Sequence, residues 1–237
     1  METTAISYEA DGREMIGTLV LPDGTDTRPG VLVAHEGNGL TVHTRTMASR
    51  LAEIGYVAFA LDYLGGGAPL PDRDAINARL TGLIEDADRT RAIARAGLAV
   101  LLAEDRVDKN RIAAIGFCFG GTMVLELARD GADVNAVVGF HSGLFTARPE
   151  DAANIRGKVL VCIGAEDPLI SPEERSAFEA EMRAGGVDWR MNLYGGAAHS
   201  FTNPDAHLAG FAGIEYHEPT AMRSWKAMID LFDETLA

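Results

Sequence analysis

Ile115-Gly116-Phe117-Cys118-Phe119-Gly120-Gly121 places a thiol between two close glycines at the junction of two kinds of sequence. Before it runs Asn110-Arg111-Ile112-Ala113-Ala114-Ile115, a turn residue and then an apolar strand. After it runs Thr122-Met123-Val124-Leu125-Glu126-Leu127-Ala128, a good helix former. A sharp strand-to-helix turn forces its central residue into a strained conformation, and the neighbours two positions away must be small. A thiol held there meets the positive end of a helix dipole, which favours the thiolate and any oxyanion formed beside it. A buried, inert cysteine in a tight core turn is the competing explanation.

That explanation weakens because an acid and a base follow in the chain. Lys158 to Gly164 reads as a strand and leads into Ala165-Glu166-Asp167-Pro168. Trp189 to Tyr194 reads as another and leads into Gly195-Gly196-Ala197-Ala198-His199-Ser200-Phe201. Cys118, Asp167 and His199 thus each follow a strand, where open α/β sheets carry their ligands. His199 is of the type that takes a thiol proton and returns it to a leaving group, and Asp167 of the type that orients the imidazole. Glu166 is the rival acid; Asp167 is preferred because it directly precedes the proline turn.

The order nucleophile, acid, base is that of the α/β-hydrolases. Over nearly its full length the chain resembles the dienelactone hydrolase family. The resemblance rests on the Cys118 turn, Val33-Ala34-His35-Glu36-Gly37-Asn38-Gly39-Leu40, Tyr56 to Asp62, Gly164 to Pro168 and His199-Ser200-Phe201. It implies an α/β-hydrolase fold, a mostly parallel sheet with helices on both faces. It implies that Glu36 lies beside the thiol and receives its proton as substrate enters, and that the Gly37 and Phe119 N–H groups form an oxyanion hole. It also implies an arginine four residues after the histidine to grip a substrate carboxylate, where this chain has Asn203. Asn203 can hydrogen-bond substrate but cannot form a bidentate ion pair. Arg45, Arg73 and Arg79 are the cations available to compensate. A broad ester or lactone hydrolase is therefore expected, with small-molecule substrates and no cofactor. The sulfur nucleophile adds the possibility of phosphotriester turnover. The alternatives are a non-catalytic binding module, which usually lacks one of the three residues, and a redox sensor using Cys118.

Glu36 on a cleft wall would have a raised pKa and act as a proton acceptor; a solvent-facing strand-end acid is the other reading. His35-Glu36 does not open a zinc-protease motif, because position 39 is glycine. His35, His43, His207 and His217 lack metal-ligand spacing, so no metal is expected. His141 and Ser142, after a further strand, are expected either to line the pocket together with Tyr63 or to form a hydrogen-bonded structural pair. Phe117, Phe119, Phe145 and Tyr194 are candidates for its apolar wall.

The 237 residues suit a single domain over 1–237. A net charge of −14 excludes the basic face that nucleic acid requires and disfavours an anionic membrane surface. The first ten residues hold Glu2 and Glu9 and no apolar stretch of a secretory leader, and no run approaches membrane-spanning length. With two unpaired cysteines, Cys118 and Cys162, a reducing cytoplasm is expected. A homodimer is compatible with the sequence.

Ile6–Ala10 and Met15–Leu21 are predicted to pair about an Asp11-Gly12 turn. Strands at 31–34, 57–61, 110–116, 135–140, 158–164 and 189–194 follow. Helices are predicted at 43–54, 119–130, 172–184 and 219–236. Residues 72–103 form one long helix or two, with Gly82 or Gly97 as the break. The glycine loop at 64–68 lacks the Gly-Lys-Ser/Thr of a phosphate cradle.

Overall fold

Runs of β-branched and apolar residues alternating with amphipathic stretches build a sheet covered on both faces. A computed structural model describes residues 1–70 and 72–237. The strands are β1 (Glu2–Ala10), β2 (Arg13–Leu21), β3 (Arg28–Ala34), β4 (Val57–Leu61), β5 (Val107–Phe117), β6 (Ala136–Phe140), β7 (Lys158–Gly164) and β8 (Trp189–Tyr194). The helices are α1 (Val42–Glu53), α2 (Arg73–Ile84), α3 (Ala87–Ala103), α4 (Phe119–Arg129), α5 (Pro172–Ala184) and α6 (Glu218–Thr235). Strand order is β1-β2-β4-β3-β5-β6-β7-β8. The first two pairings, β1 with β2 and β2 with β4, are antiparallel, and the rest are parallel. This is the α/β-hydrolase fold.

Central strands lie between two helical layers, so every residue of β4 and β6 is buried. One layer packs Leu98 of α3, Leu125 of α4 and Phe178 of α5 against the sheet. The other packs Leu51 of α1 and Met228 and Phe232 of α6. The opening hairpin turns through Asp11 and Gly12, at φ 54° and 64°, the positive pair that a two-residue turn between twisted strands requires. The Leu64–Gly67 loop wraps a buried carboxylate. Asp62 accepts the N–H groups of Ile16, Leu64, Gly65 and Gly67 at 2.8–3.1 Å.

Residues 72–103 are two helices, and neither glycine breaks them. The break falls at Glu85–Asp86, because the Asp86 carboxylate accepts the Arg89 N–H at 3.0 Å and caps α3. Gly97 lies inside α3, where a Cβ would meet Leu61 Cδ1 at 2.9 Å; it serves close helix-to-sheet packing.

Between α3, α4 and α5 lies a buried ionic cluster. Arg129, fully buried, donates from Nε and Nη2 to Glu181 at 2.7 and 2.9 Å, and from Nη1 to Glu126 at 2.9 Å. Arg91 binds the other Glu126 oxygen at 2.8 Å and reaches Asp151 at 2.6 Å. Removing one member of such a cluster strands a buried charge. Arg129→Met, which strips Glu181 of its guanidinium, is expected to lower unfolding free energy by about 3–5 kcal/mol. The readout is a shifted urea midpoint at unchanged slope.

Candidate active site

Glycine packing dictates the Cys118 turn. A Cβ on Gly116 would lie 2.1 Å from the Gly120 carbonyl oxygen, and one on Gly120 would lie 2.2 Å from the His35 carbonyl oxygen. With these backbones in contact, Cys118 is driven to φ 53°, ψ −123° between β5 and α4. Its own N–H donates to the Phe140 carbonyl at 3.0 Å. The next N–H, at Phe119, opens α4. Among the described residues neither the Phe119 nor the Gly37 N–H donates to a protein acceptor.

Asp167 follows β7 in a tight turn, where Oδ1 accepts the Leu169 N–H at 2.9 Å. Oδ2 accepts from His199 Nδ1 at 2.8 Å. Glu166, the rival acid, is exposed. The segment carrying His199 is fixed by its N–H donating to Gly213 and its carbonyl accepting from Glu215, each at 2.9 Å. His199 Nε2 has no oxygen or nitrogen partner, and the residue lines the same two cavities as Cys118. Burial alone would push the His199 imidazole down. The charge of the Cys118 sulfur and the hydrogen bond to Asp167 outweigh it and carry the pKa up to about 10.

Glu36, two residues beyond β3, is buried on the wall of the larger cavity. Oε1 accepts from Ser200 Oγ at 2.9 Å and Oε2 from Asn203 Nδ2 at 2.7 Å. His43 Nδ1 lies 3.7 Å from Oε2. Glu36 is thus held by neutral donors inside the cleft, not turned to solvent.

Of four residues expected in the pocket, one lines it and three are packed behind it. Asn203 lines the larger cavity, its amide nitrogen donating to Glu36 at 2.7 Å and its oxygen accepting the Asp205 N–H at 3.0 Å. Tyr63 is fully buried, stacked on His35 at 3.7 Å, and donates to the His35 and Glu36 carbonyls at 3.0 and 2.9 Å. It supports the Glu36 loop from below. His141 lies behind His199, edge-on at 5.0 Å, with Nε2 2.8 Å from Thr202 Oγ1. Burial holds its imidazole well below the usual range, and therefore neutral. Ser142 is buried against Gly121 and Gly139. Of the expected aromatic wall, Phe119 and Phe145 line the smaller cavity, whereas Phe117 stacks on Phe140 and Tyr194 packs edge-on against Phe201.

Among the three arginines, Arg45 donates to the Leu40 and Gly67 carbonyls and Arg79 to the Leu64 carbonyl. Arg73 lines the larger cavity, its guanidinium 3.8 Å above the Phe211 ring. Sequence reading missed Ser200 and the cavity-facing residues of α2. The positive φ of Ser200, 56°, has no sequence signal. Among the described residues no three His, Cys, Asp or Glu side chains gather as a metal-binding group, and no helix is long and apolar enough to cross a membrane.

Asn203→Asp would set a carboxylate against Glu36, and two such groups share a proton. The folded-state pKa of the pair rises, so stability is retained at low pH and lost as pH climbs through the raised value. The deficit against the native protein is expected to be small at about pH 3 and roughly 2 kcal/mol at about pH 8, read from urea midpoints at both.

The family model described as "Dienelactone hydrolase family" matches residues 15–236. A solved structure named m3DLH is 47% identical, with a TM-score of 0.96 over 100% of this chain and 99% of that one. The dienelactone hydrolase-like promiscuous phosphotriesterase P91, from metagenomic libraries, is 38% identical, with a TM-score of 0.95 over 100% and 99% of the two chains. Protein usf of Aquifex pyrophilus is 28% identical over 98% of each chain.

Proposed function

The chain belongs to the dienelactone hydrolase family and is a carboxylic ester hydrolase, and on that premise we propose that it opens small esters and lactones through a thioester on Cys118. The observation that carries this reading is the strained cysteine at φ 53° sharing its cavities with a histidine bonded to Asp167 at 2.8 Å.

In the first step the Cys118 sulfur attacks the carbonyl carbon. The developing oxyanion is received by the Phe119 and Gly37 N–H groups. Glu36 takes the thiol proton as substrate enters, with Ser200 and Asn203 holding its carboxylate in place. The His199 imidazolium, steadied by Asp167, protonates the departing oxygen, leaving the acyl group on sulfur. In the second step neutral His199 removes a proton from water, which attacks the thioester and expels the thiolate; the thiolate then takes back the proton held by Glu36. A lactone follows the same steps, except that its leaving hydroxyl stays tethered to the acyl group. A thiol working this way suits a reducing cytoplasm, the compartment we assign to it.

Cys118→Ala and His199→Ala are each expected to lose at least about three orders of magnitude in kcat/KM on p-nitrophenyl butyrate, as members of an interdependent unit do. Near-normal turnover by either variant would overturn the assigned roles. In the native enzyme activity is expected to decline as pH rises through about 10, where His199 loses the proton destined for the leaving group. A flat profile across that range would reject His199 as the acid.

Likeness to P91 favours a second activity at the same atoms. Attack of Cys118 on an electrophilic phosphorus forms a P–S bond, weaker than the P–O bond a serine would form, so water regenerates the enzyme. With paraoxon, continued release of p-nitrophenol beyond one equivalent is expected, abolished in Cys118→Ala. A single stoichiometric burst would exclude it.

A further inference from the structure

Two cavities meet at Cys118 and His199, and their chemistry differs. The larger, about 630 Å³, carries charge: Glu36, His43, Asp72, Arg73 and Asp205 line it among apolar residues such as Ile76 and Leu208, and its cation is stacked on Phe211. The smaller, about 260 Å³, runs the other way, beneath α2 and along α4. Leu83, Ile84, Phe119, Phe145 and Ile170 give it an apolar wall. Apart from Cys118 and His199, its one ionisable residue among those described is Glu126. Both Glu126 oxygens are engaged, by Arg91 at 2.8 Å and Arg129 at 2.9 Å. No guanidinium or ammonium lines this chamber, so nothing in its wall would compensate a carboxylate carried into it.

We propose that the smaller chamber receives the acyl arm of an uncharged ester, which makes the enzyme selective for apolar acyl groups of about six to eight carbons. The assignment rests on the thioester reading above. In that scheme the acyl group stays bound through both steps, while an alcohol must leave and a water must come in. The smaller chamber, whose one further carboxylate is already paired, suits the arm that stays; the larger cavity, with its charged side chains, suits the traffic. At about 30 Å³ per water-sized group, 260 Å³ holds roughly eight or nine such groups, which sets the chain length. An acyl chain ending in a carboxylate is disfavoured because no cation lines the chamber, and the hydroxyls of Thr90 and Thr122 already donate to the Leu83 and Gly143 carbonyls at 2.8 and 2.9 Å.

The test compares three substrate sets on the native enzyme and on two variants that fill the chamber, Ala147→Trp and Ala87→Phe. Ala147 is exposed and Ala87 half-buried at the start of α3, and both line the chamber. Across p-nitrophenyl acetate, butyrate and hexanoate, kcat/KM is expected to rise about two- to fourfold per methylene, the range that burial of each methylene provides. Alkyl acetates from methyl to hexyl, followed by acid release, are expected to change far less. p-Nitrophenyl monoglutarate is expected to fall at least 100-fold below the pentanoate. In both variants acetate should stay within about twofold of native, and hexanoate should drop at least tenfold. Acetate turnover with a flat acyl series, a dependence on the alcohol chain instead, or glutarate equal to pentanoate would overturn the chamber assignment while leaving hydrolysis standing. Absence of any Cys118-dependent acetate turnover would instead sink the hydrolase reading beneath it.

Discussion

Everything at the candidate site depends on three backbone segments touching where side chains would ordinarily hold them apart. Gly116 lies against Gly120, and Gly120 lies against the end of β3 at Ala34 and His35. That contact fixes the crossing of β5 and α4 and holds Cys118 in a conformation that costs on the order of 1–3 kcal/mol. The same contact sets the distance between the Cys118 turn and the loop beginning at Glu36, since His35 is itself part of it. A methyl group at either glycine would therefore displace the Cys118 turn and the loop beginning at Glu36 together.

The second constraint is electrostatic. Glu36 is bonded in its cavity by a hydroxyl and an amide, the amide being that of Asn203, at the position where the family resemblance implies an arginine for a substrate carboxylate. Neutral donors orient a carboxylate without adding the positive charge that favours its ionised form. Nearby, His141 is kept neutral by burial behind His199, so the imidazolium at His199 faces no second cation. In the mechanism proposed above, charge moves over few atoms: one sulfur, one imidazole and one carboxylate.

Much of this was legible in the sequence. The bounds of β4, β7, β8 and α5 follow from apolar runs closed by glycine, proline or a capping serine. The residues proposed as nucleophile, acid and base could be named because each stands within a few residues of a strand end. Strand-end position, however, says which rim a residue occupies and not which way its side chain turns. That is why Tyr63, His141 and Ser142 read as pocket residues and prove to be packed behind it. Asn203 was recognised as the departure from the family pattern, but its partner, Glu36, is 167 residues away and belongs to another loop. The break between α2 and α3 went to a cap, Asp86, and not to the glycines, because Gly82 and Gly97 are accommodated within helices whose ends are set by side-chain hydrogen bonds.

The helix over the smaller chamber is anchored lightly. Of the twelve residues of α2 only Leu83 is fully buried, whereas α3 buries seven of its seventeen. Most substitutions along α2 would thus leave the hydrophobic interior untouched while changing what lies above the sulfur. Evolution can retune acceptance there almost independently of folding, so relatives with the same sheet and the same reacting atoms are free to diverge in diet.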